Sequence, residues 1–141
     1  MSGYSFMTAL RTLSCMGMTP GAVALKRFHQ NSHHALAVAV WDELSGHGIR
    51  VFETDGAVGS ARTGVALSLQ HEGVMLMWQM GESQERDIYD KTLRAERSRS
   101  VAALMTGAVA SSLVVLGYHV HAEFVDELPF PAVYVHGRAE Q

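Results

Sequence analysis

Three side chains with metal-binding chemistry follow one another at two-residue spacing: His119, His121 and Glu123. Residues two apart in a β-strand lie on the same face, so this spacing groups two imidazoles with a carboxylate. If the next strand pairs antiparallel with this one, Tyr134 and His136 join the same face. Imidazole and carboxylate ligands suit a divalent metal, zinc or iron best. The sequence therefore predicts a metal site of His119, His121, Glu123 and His136; the alternative is a solvated hairpin face in a chain with eight histidines.

A second candidate site precedes the apolar stretch 101–117 and reads Arg97-Ser-Arg-Ser-Val-Ala102. It resembles the pyrophosphate loop of the GNAT acetyltransferases, Arg-x-x-Gly-x-Gly/Ala, with Ser100 in place of the first glycine. Backbone N–H groups at a helix start bind phosphate well. The resemblance implies acyl-CoA as a ligand, whereas the residues alone also fit a serine-capped helix with basic neighbours. The residues that the resemblance implicates are Arg97, Arg99, Ser100 and Ala102.

The stretch 101–117 is the element that must position both sites. It is nearly uncharged, and a helix that is apolar on every side must be covered all round. Its 17 or so apolar residues fall short of the ~20 that a bilayer requires, so we expect a buried helix and no membrane span. Ala103, Gly107 and Ser111 form a small-residue stripe at four-residue spacing, and we expect the sheet to approach it closely.

Helix signals dominate the first forty-five residues. Thr19-Pro20 is a capping residue followed by proline at the first helical position. Asn31-Ser32 is a second candidate cap, and a further helix start is predicted at Ser83. The predicted N-terminal helices span residues 4–15, 21–30 and 35–44, and the pattern Leu36, Val38, Val40 in the last of them also fits a strand.

Strand signals begin at His47, where the hydrophobic period changes to two. Residues 74–78 are apolar on both faces, which is typical of a central strand covered above and below. Glu72-Gly73 predicts a tight turn before them. The predicted strands are 49–53, 65–70, 74–78, 118–125 and 132–136.

The composition limits the function classes. A length of 141 residues with 48% hydrophobic and 18% charged residues predicts a single globular domain, residues 1–141. A formal net charge of -3 gives no general attraction to nucleic acid. Cys15 is the only cysteine, which favours a reducing compartment, and we expect the cytoplasm. The first residues lack a basic segment before an apolar one, and we expect them to belong to the fold.

These patterns together predict an α+β domain with a helical N-terminal third, about five mostly antiparallel strands, and one long apolar helix packed on the sheet. For function they favour a non-catalytic interaction or regulatory module that binds a protein partner, as a homodimer, of the kind found among bacterial and phage accessory proteins. Two alternatives stay open. One is a metal-dependent enzyme or metal sensor using His119, His121 and His136, and the other is an acyl-CoA-binding protein.

Overall fold

The structure is a computed structural model that describes residues 18–53, 62–80, 93–124 and 131–138. The chain separates into two compact units, residues 1–49 and 50–141. The predicted helix at 4–15 and the predicted helix start at Ser83 lie outside the described residues.

The first unit begins with helix α1, Pro20–Ala24, which starts where the sequence predicts. The Thr19 side chain accepts a hydrogen bond from the backbone N–H of Ala22 at 3.2 Å, and Pro20 supplies a first residue that has no N–H to satisfy. The predicted helix 21–30 is wrong in length, because the chain leaves the α-helix after Ala24 and forms a 3-10 turn at Lys26–Phe28.

Helix α2, His34–Gly46, follows, and its buried residues recur at helical spacing. A hydrogen bond joins it to α1, since the backbone N–H of Gly21 donates to the Asp42 carboxylate at 2.8 Å. The predicted cap at Asn31-Ser32 is wrong, because the residue before α2 is His33 and, among the described residues, no side chain caps the helix. The Asn31 side chain instead accepts from the backbone N–H of His33. The buried face of α2 consists of Ala37, Val40, Trp41 and Leu44.

The second unit is built on a five-stranded sheet in the order β1-β2-β3-β5-β4. The α+β class and the number of strands are confirmed, but the sheet is mixed, because β1 runs parallel to β2. Side-chain alternation identifies a strand without fixing its direction, which is why the sequence missed this. The strands are β1 Val51–Glu53, β2 Thr63–Gln70, β3 Gly73–Met80, β4 Tyr118–Glu123 and β5 Ala132–Arg138.

Strand β3 occupies the centre of the sheet, as its apolar pattern predicts. Val74 and Leu76 on one face are fully buried, and Met75 on the other face is also buried. Strand β3 pairs antiparallel with β2 over its full length and with β5 over residues 74–76. The core of the second unit therefore extends to both faces of this strand.

Helix α3, Leu93–Val115, packs on β3, β4 and β5, but it is not covered on every side. Leu113 is fully buried, whereas Leu104 on the same helix is 73% exposed and Val115 is 86% exposed. The expectation of an all-round buried helix is therefore wrong. Among the described residues, no helix is long and apolar enough to cross a membrane. The buried face of α3 consists of Ala102, Thr106, Val109 and Leu113.

The small-residue stripe of α3 also differs from the expectation. A Cβ placed on Gly107 would meet no atom within 4 Å outside its own helix turn, and Ser111 is exposed. The buried residues in this part of the helix are Thr106 and Val109, so the sheet contacts the opposite face of the helix. The stripe is thus turned away from the sheet that was expected to cover it.

Strand β5 pairs with β3 only over residues 74–76, so the backbone N–H of Trp78, farther along β3, needs another acceptor. Thr106 of α3 supplies it. Its buried hydroxyl donates to the Ala102 carbonyl at 2.8 Å and accepts from the backbone N–H of Trp78 at 3.2 Å. A buried donor that loses its acceptor incurs its desolvation cost. This hydroxyl therefore fixes the helix against the sheet at one defined position.

We expect Thr106→Val to lower the free energy of unfolding by about 1–3 kcal/mol, because the variant keeps the shape but leaves the Trp78 N–H without an acceptor. Urea denaturation measures the change. Thr106→Ser is the matched control, since it keeps the hydroxyl and loses one methyl group, worth about 0.8 kcal/mol. A valine variant as stable as the parent protein would contradict the role of this hydrogen bond.

Candidate functional site

Strands β4 and β5 bring together three of the four predicted metal ligands. The strands pair antiparallel, and His121 lies opposite Tyr134. The register shifts between His119 and Val120, which leaves His136 as the extra residue of a bulge. Bulges redirect side chains, and this one leaves the His136 ring beside the ring of His121.

His121 and Glu123 form the first contact of this group. They lie two residues apart on β4, and His121 Nε2 is 3.0 Å from Glu123 Oε2. A carboxylate only accepts, so the Nε2 atom of His121 carries the hydrogen and donates it. In the neutral ring this leaves Nδ1 with a lone pair. The two side chains are 43% and 54% exposed, so the pair is open to water.

The second contact joins the two histidines. His121 Nδ1 faces His136 Nε2, with ring planes 7° apart and ring centroids separated by 4.5 Å. The other ring nitrogen of His136, Nδ1, lies 3.7 Å from the position that a Cβ on Gly73 would take. The His136 ring therefore lies near the start of β3, with its Nε2 atom directed at His121.

Tyr134 connects this exposed group to the core. Its ring lies nearly parallel to that of His121, with centroids 5.3 Å apart, and it packs with the buried Met75 and Ala132. Burial first, and then the negative charges of Glu123 and Glu72, raise the pKa of the Tyr134 phenol above its ordinary value. The phenol is thus neutral at pH 7 and acts as a fixed aromatic wall.

The predicted set of four ligands does not assemble as a whole. His119 is exposed and lies opposite Gly137, and Glu123 is hydrogen-bonded to the far nitrogen of His121. Within the part of the chain that the structure describes, no group of three or more His, Cys, Asp or Glu side chains is arranged to hold a metal ion. What the strands do assemble is two facing imidazoles and one orienting carboxylate.

The residues that resemble an acyl-CoA loop lie inside α3 instead of in a loop. Helix α3 includes Leu93, so Arg97 is already in its second turn. The Ser100 hydroxyl donates to the Glu96 carbonyl at 2.9 Å, which is a mid-helix contact. Free backbone N–H groups belong to the first turn of a helix, so the remaining residues, Arg99 and Ala102, have none to offer a phosphate.

A second surface was missed by the sequence reading. Apolar or small residues at positions 101, 104, 108, 111 and 115 of α3 are all exposed. Their alternating spacing of three and four was visible in the sequence, but the apolar residues on the other sides of the helix hid it. We call this set, together with Gly107 and Val114, the outer stripe of α3.

The geometry therefore offers two candidate sites, the histidine pair on β4 and β5 and the outer stripe of α3. Comparison of the chain with protein-family models, with curated proteins and with solved structures found no match.

Proposed function

We propose that this chain is a protein-contact module that forms a homodimer through the outer stripe of α3. The observation that carries the proposal is the exposure of large apolar side chains on one helix face: Leu104 at 73% and Val115 at 86%. Contiguous exposed apolar surface of this kind marks interaction sites. The spacing of three and four along the stripe is the pattern by which one helix packs against another.

The shape of the outer stripe favours a second copy of the same helix as the partner. Its large residues stand at the two ends, Val101 and Leu104 before the middle and Val114 and Val115 after it. Its middle holds small residues, which let two helix backbones approach closely. Residue size along the stripe is symmetric about Ala108, so a two-fold axis there sets the apolar ends of one copy against the apolar ends of the other, as an isologous dimer requires.

Charge favours the antiparallel orientation of the two helices. Arg97 is exposed and continues the outer stripe toward the helix start. A parallel pair would bring the two Arg97 guanidinium groups together, which costs free energy. An antiparallel pair centred at Ala108 separates them by about 33 Å, at 1.5 Å per residue over eleven residues on each side. Val101 of one copy then meets Val115 of the other.

Light scattering or sedimentation over a range of protein concentrations tests the proposal. We expect a species of twice the chain mass, and we expect Val115→Lys to weaken the association at least tenfold. Val23→Lys is the matched control, because Val23 is an exposed valine at 44% outside α3 and the change is the same. Surface substitutions shift stability by only about 0.5 kcal/mol, so both variants remain folded.

Two results would contradict the proposal. One is a parent protein that stays monomeric at high concentration. The other is a Val23→Lys variant that dissociates as readily as Val115→Lys, since the association would then not depend on α3.

A further inference from the structure

We infer that His121 Nδ1 and His136 Nε2 together bind one divalent transition-metal ion, with Glu123 as the carboxylate that orients His121. This inference is independent of the proposed dimer, because it concerns strands β4 and β5 and no residue of α3. It assigns metal binding to the histidine pair, and it limits the metal ligands from the protein to two ring nitrogens.

The arrangement around His121 is that of a metal-binding histidine. Such a histidine donates its second ring N–H to a carboxylate, which fixes the tautomer and makes the ligating nitrogen more basic. Glu123 accepts from His121 Nε2 at 3.0 Å, so the lone pair of Nδ1 is directed away from Glu123. The nitrogen left for a ligand is the one that faces His136.

The arrangement around His136 completes the pair. In the metal-free protein a shared proton joins the two facing nitrogens as a hydrogen bond. A metal ion would replace that proton, and the exposed rings would move apart to place each nitrogen about 2.0–2.1 Å from the ion. The ring of Tyr134 lies along one side of the His121 ring and limits where that ring can turn. Both histidines are exposed, so an ion can enter and water can fill its remaining coordination positions.

The nature of the ligands decides the class of metal. Imidazole nitrogen suits copper, nickel and zinc, whereas calcium and magnesium prefer oxygen ligands. Affinity for such a site rises from nickel to copper and falls again to zinc. We therefore expect binding of Cu²⁺ and Zn²⁺, with Cu²⁺ the tighter of the two, and no binding of Mg²⁺.

Calorimetric titration of the untagged full chain with zinc chloride and copper chloride tests the inference. We expect one ion per chain, and a loss of at least tenfold in affinity for His121→Gln and for His136→Gln. Glu123→Gln is expected to weaken binding by about 10–100-fold, the range found when the carboxylate partner of a metal-binding histidine is removed. All three positions are exposed or partly exposed strand residues, and circular dichroism checks that each variant is folded.

His119→Gln is the matched control, because His119 is an exposed histidine on the same strand that lies outside the pair. It should leave the affinity unchanged within twofold. A parent protein that takes up no more Zn²⁺ or Cu²⁺ than the double variant His121→Gln/His136→Gln would overturn the inference. So would a His119→Gln variant that loses as much affinity as His121→Gln.

Nuclear magnetic resonance of the imidazole nitrogens gives an independent test of the inference. Binding of Zn²⁺ should shift the imidazole nitrogen resonances of His121 and His136 and leave those of His119 in place. Equal shifts at all three rings would contradict a site made by two of them.

Discussion

Leu113→Ala is expected to lower the free energy of unfolding by about 2–5 kcal/mol, whereas Leu104→Ala changes it by no more than about 0.5 kcal/mol. The two leucines lie nine residues apart on α3, and only their surroundings differ. Leu113 is fully buried, so alanine leaves a cavity, while Leu104 is 73% exposed and its removal opens none. Urea denaturation at a protein concentration low enough to keep the chain monomeric measures both.

This pair of variants tests whether α3 is buried on one face only. Equal losses of several kcal/mol would mean that Leu104 is as well covered as Leu113. At high protein concentration we expect Leu104→Ala to weaken self-association as well. Measurements at low and at high concentration therefore separate its effect on stability from its effect on association.

Gly73→Ala is expected to cost about 2–6 kcal/mol and to displace β5 from β3. Gly73 has a φ of +152°, a conformation that residues with a side chain rarely adopt. An added Cβ would lie 2.6 Å from the carbonyl oxygen of Val135, which belongs to the backbone and cannot rotate away. Strain of this kind costs about 1–3 kcal/mol, and forced overpacking costs about 1–3 kcal/mol more.

Gly137→Ala is the matched control, because an added Cβ there meets no atom within 4 Å and the φ of Gly137 is not in the positive region. We expect it to change the free energy of unfolding by less than about 0.5 kcal/mol. Thermal denaturation of the two variants compares them directly. A Gly73→Ala variant that melts with the parent protein would show that β3 and β5 do not approach as described.

Some local signals predicted local structure correctly, although the length of the helix 21–30 and the cap at Asn31-Ser32 were predicted wrongly. The Thr19-Pro20 pair marks the start of α1, because the cap and the proline satisfy the first turn without help from other parts of the chain. A turn before β3 was also predicted, but at Glu72-Gly73, whereas the structure has it at His71-Glu72. The antiparallel pair of β4 and β5 follows from the tendency of neighbouring strands to pair.

The exposure of α3 could not be read from its sequence. Its residues are apolar or small on most sides, so hydrophobic periodicity does not distinguish the face against the sheet from the face that looks away. Which face is buried is decided by contacts with strands that are distant in sequence, including the bond from Trp78 to Thr106. The parallel pairing of β1 with β2 was missed because side-chain alternation does not show in which direction a strand runs.

The sequence predicted the residues of the candidate site but not how their side chains are arranged. The spacing of His121 and Glu123 put them on one face, as strand geometry requires. The bulge near His136 was not encoded in any residue pattern that we recognised, and it decides which ring nitrogens face each other.

Disulfide cross-linking at the centre of the outer stripe tests the central claim most directly. Cys15 is the only cysteine, so a Cys15→Ser background allows one new thiol to be placed at Ala108→Cys or, as the control, at Ser100→Cys. A disulfide requires Cα atoms within about 7 Å. In the antiparallel pair the two copies of position 108 meet, while those of position 100 lie about 24 Å apart along the axis. We predict that mild oxidation yields a covalent dimer for Ala108→Cys and little for Ser100→Cys; equal yields at the two positions, or none at position 108, would contradict the dimer.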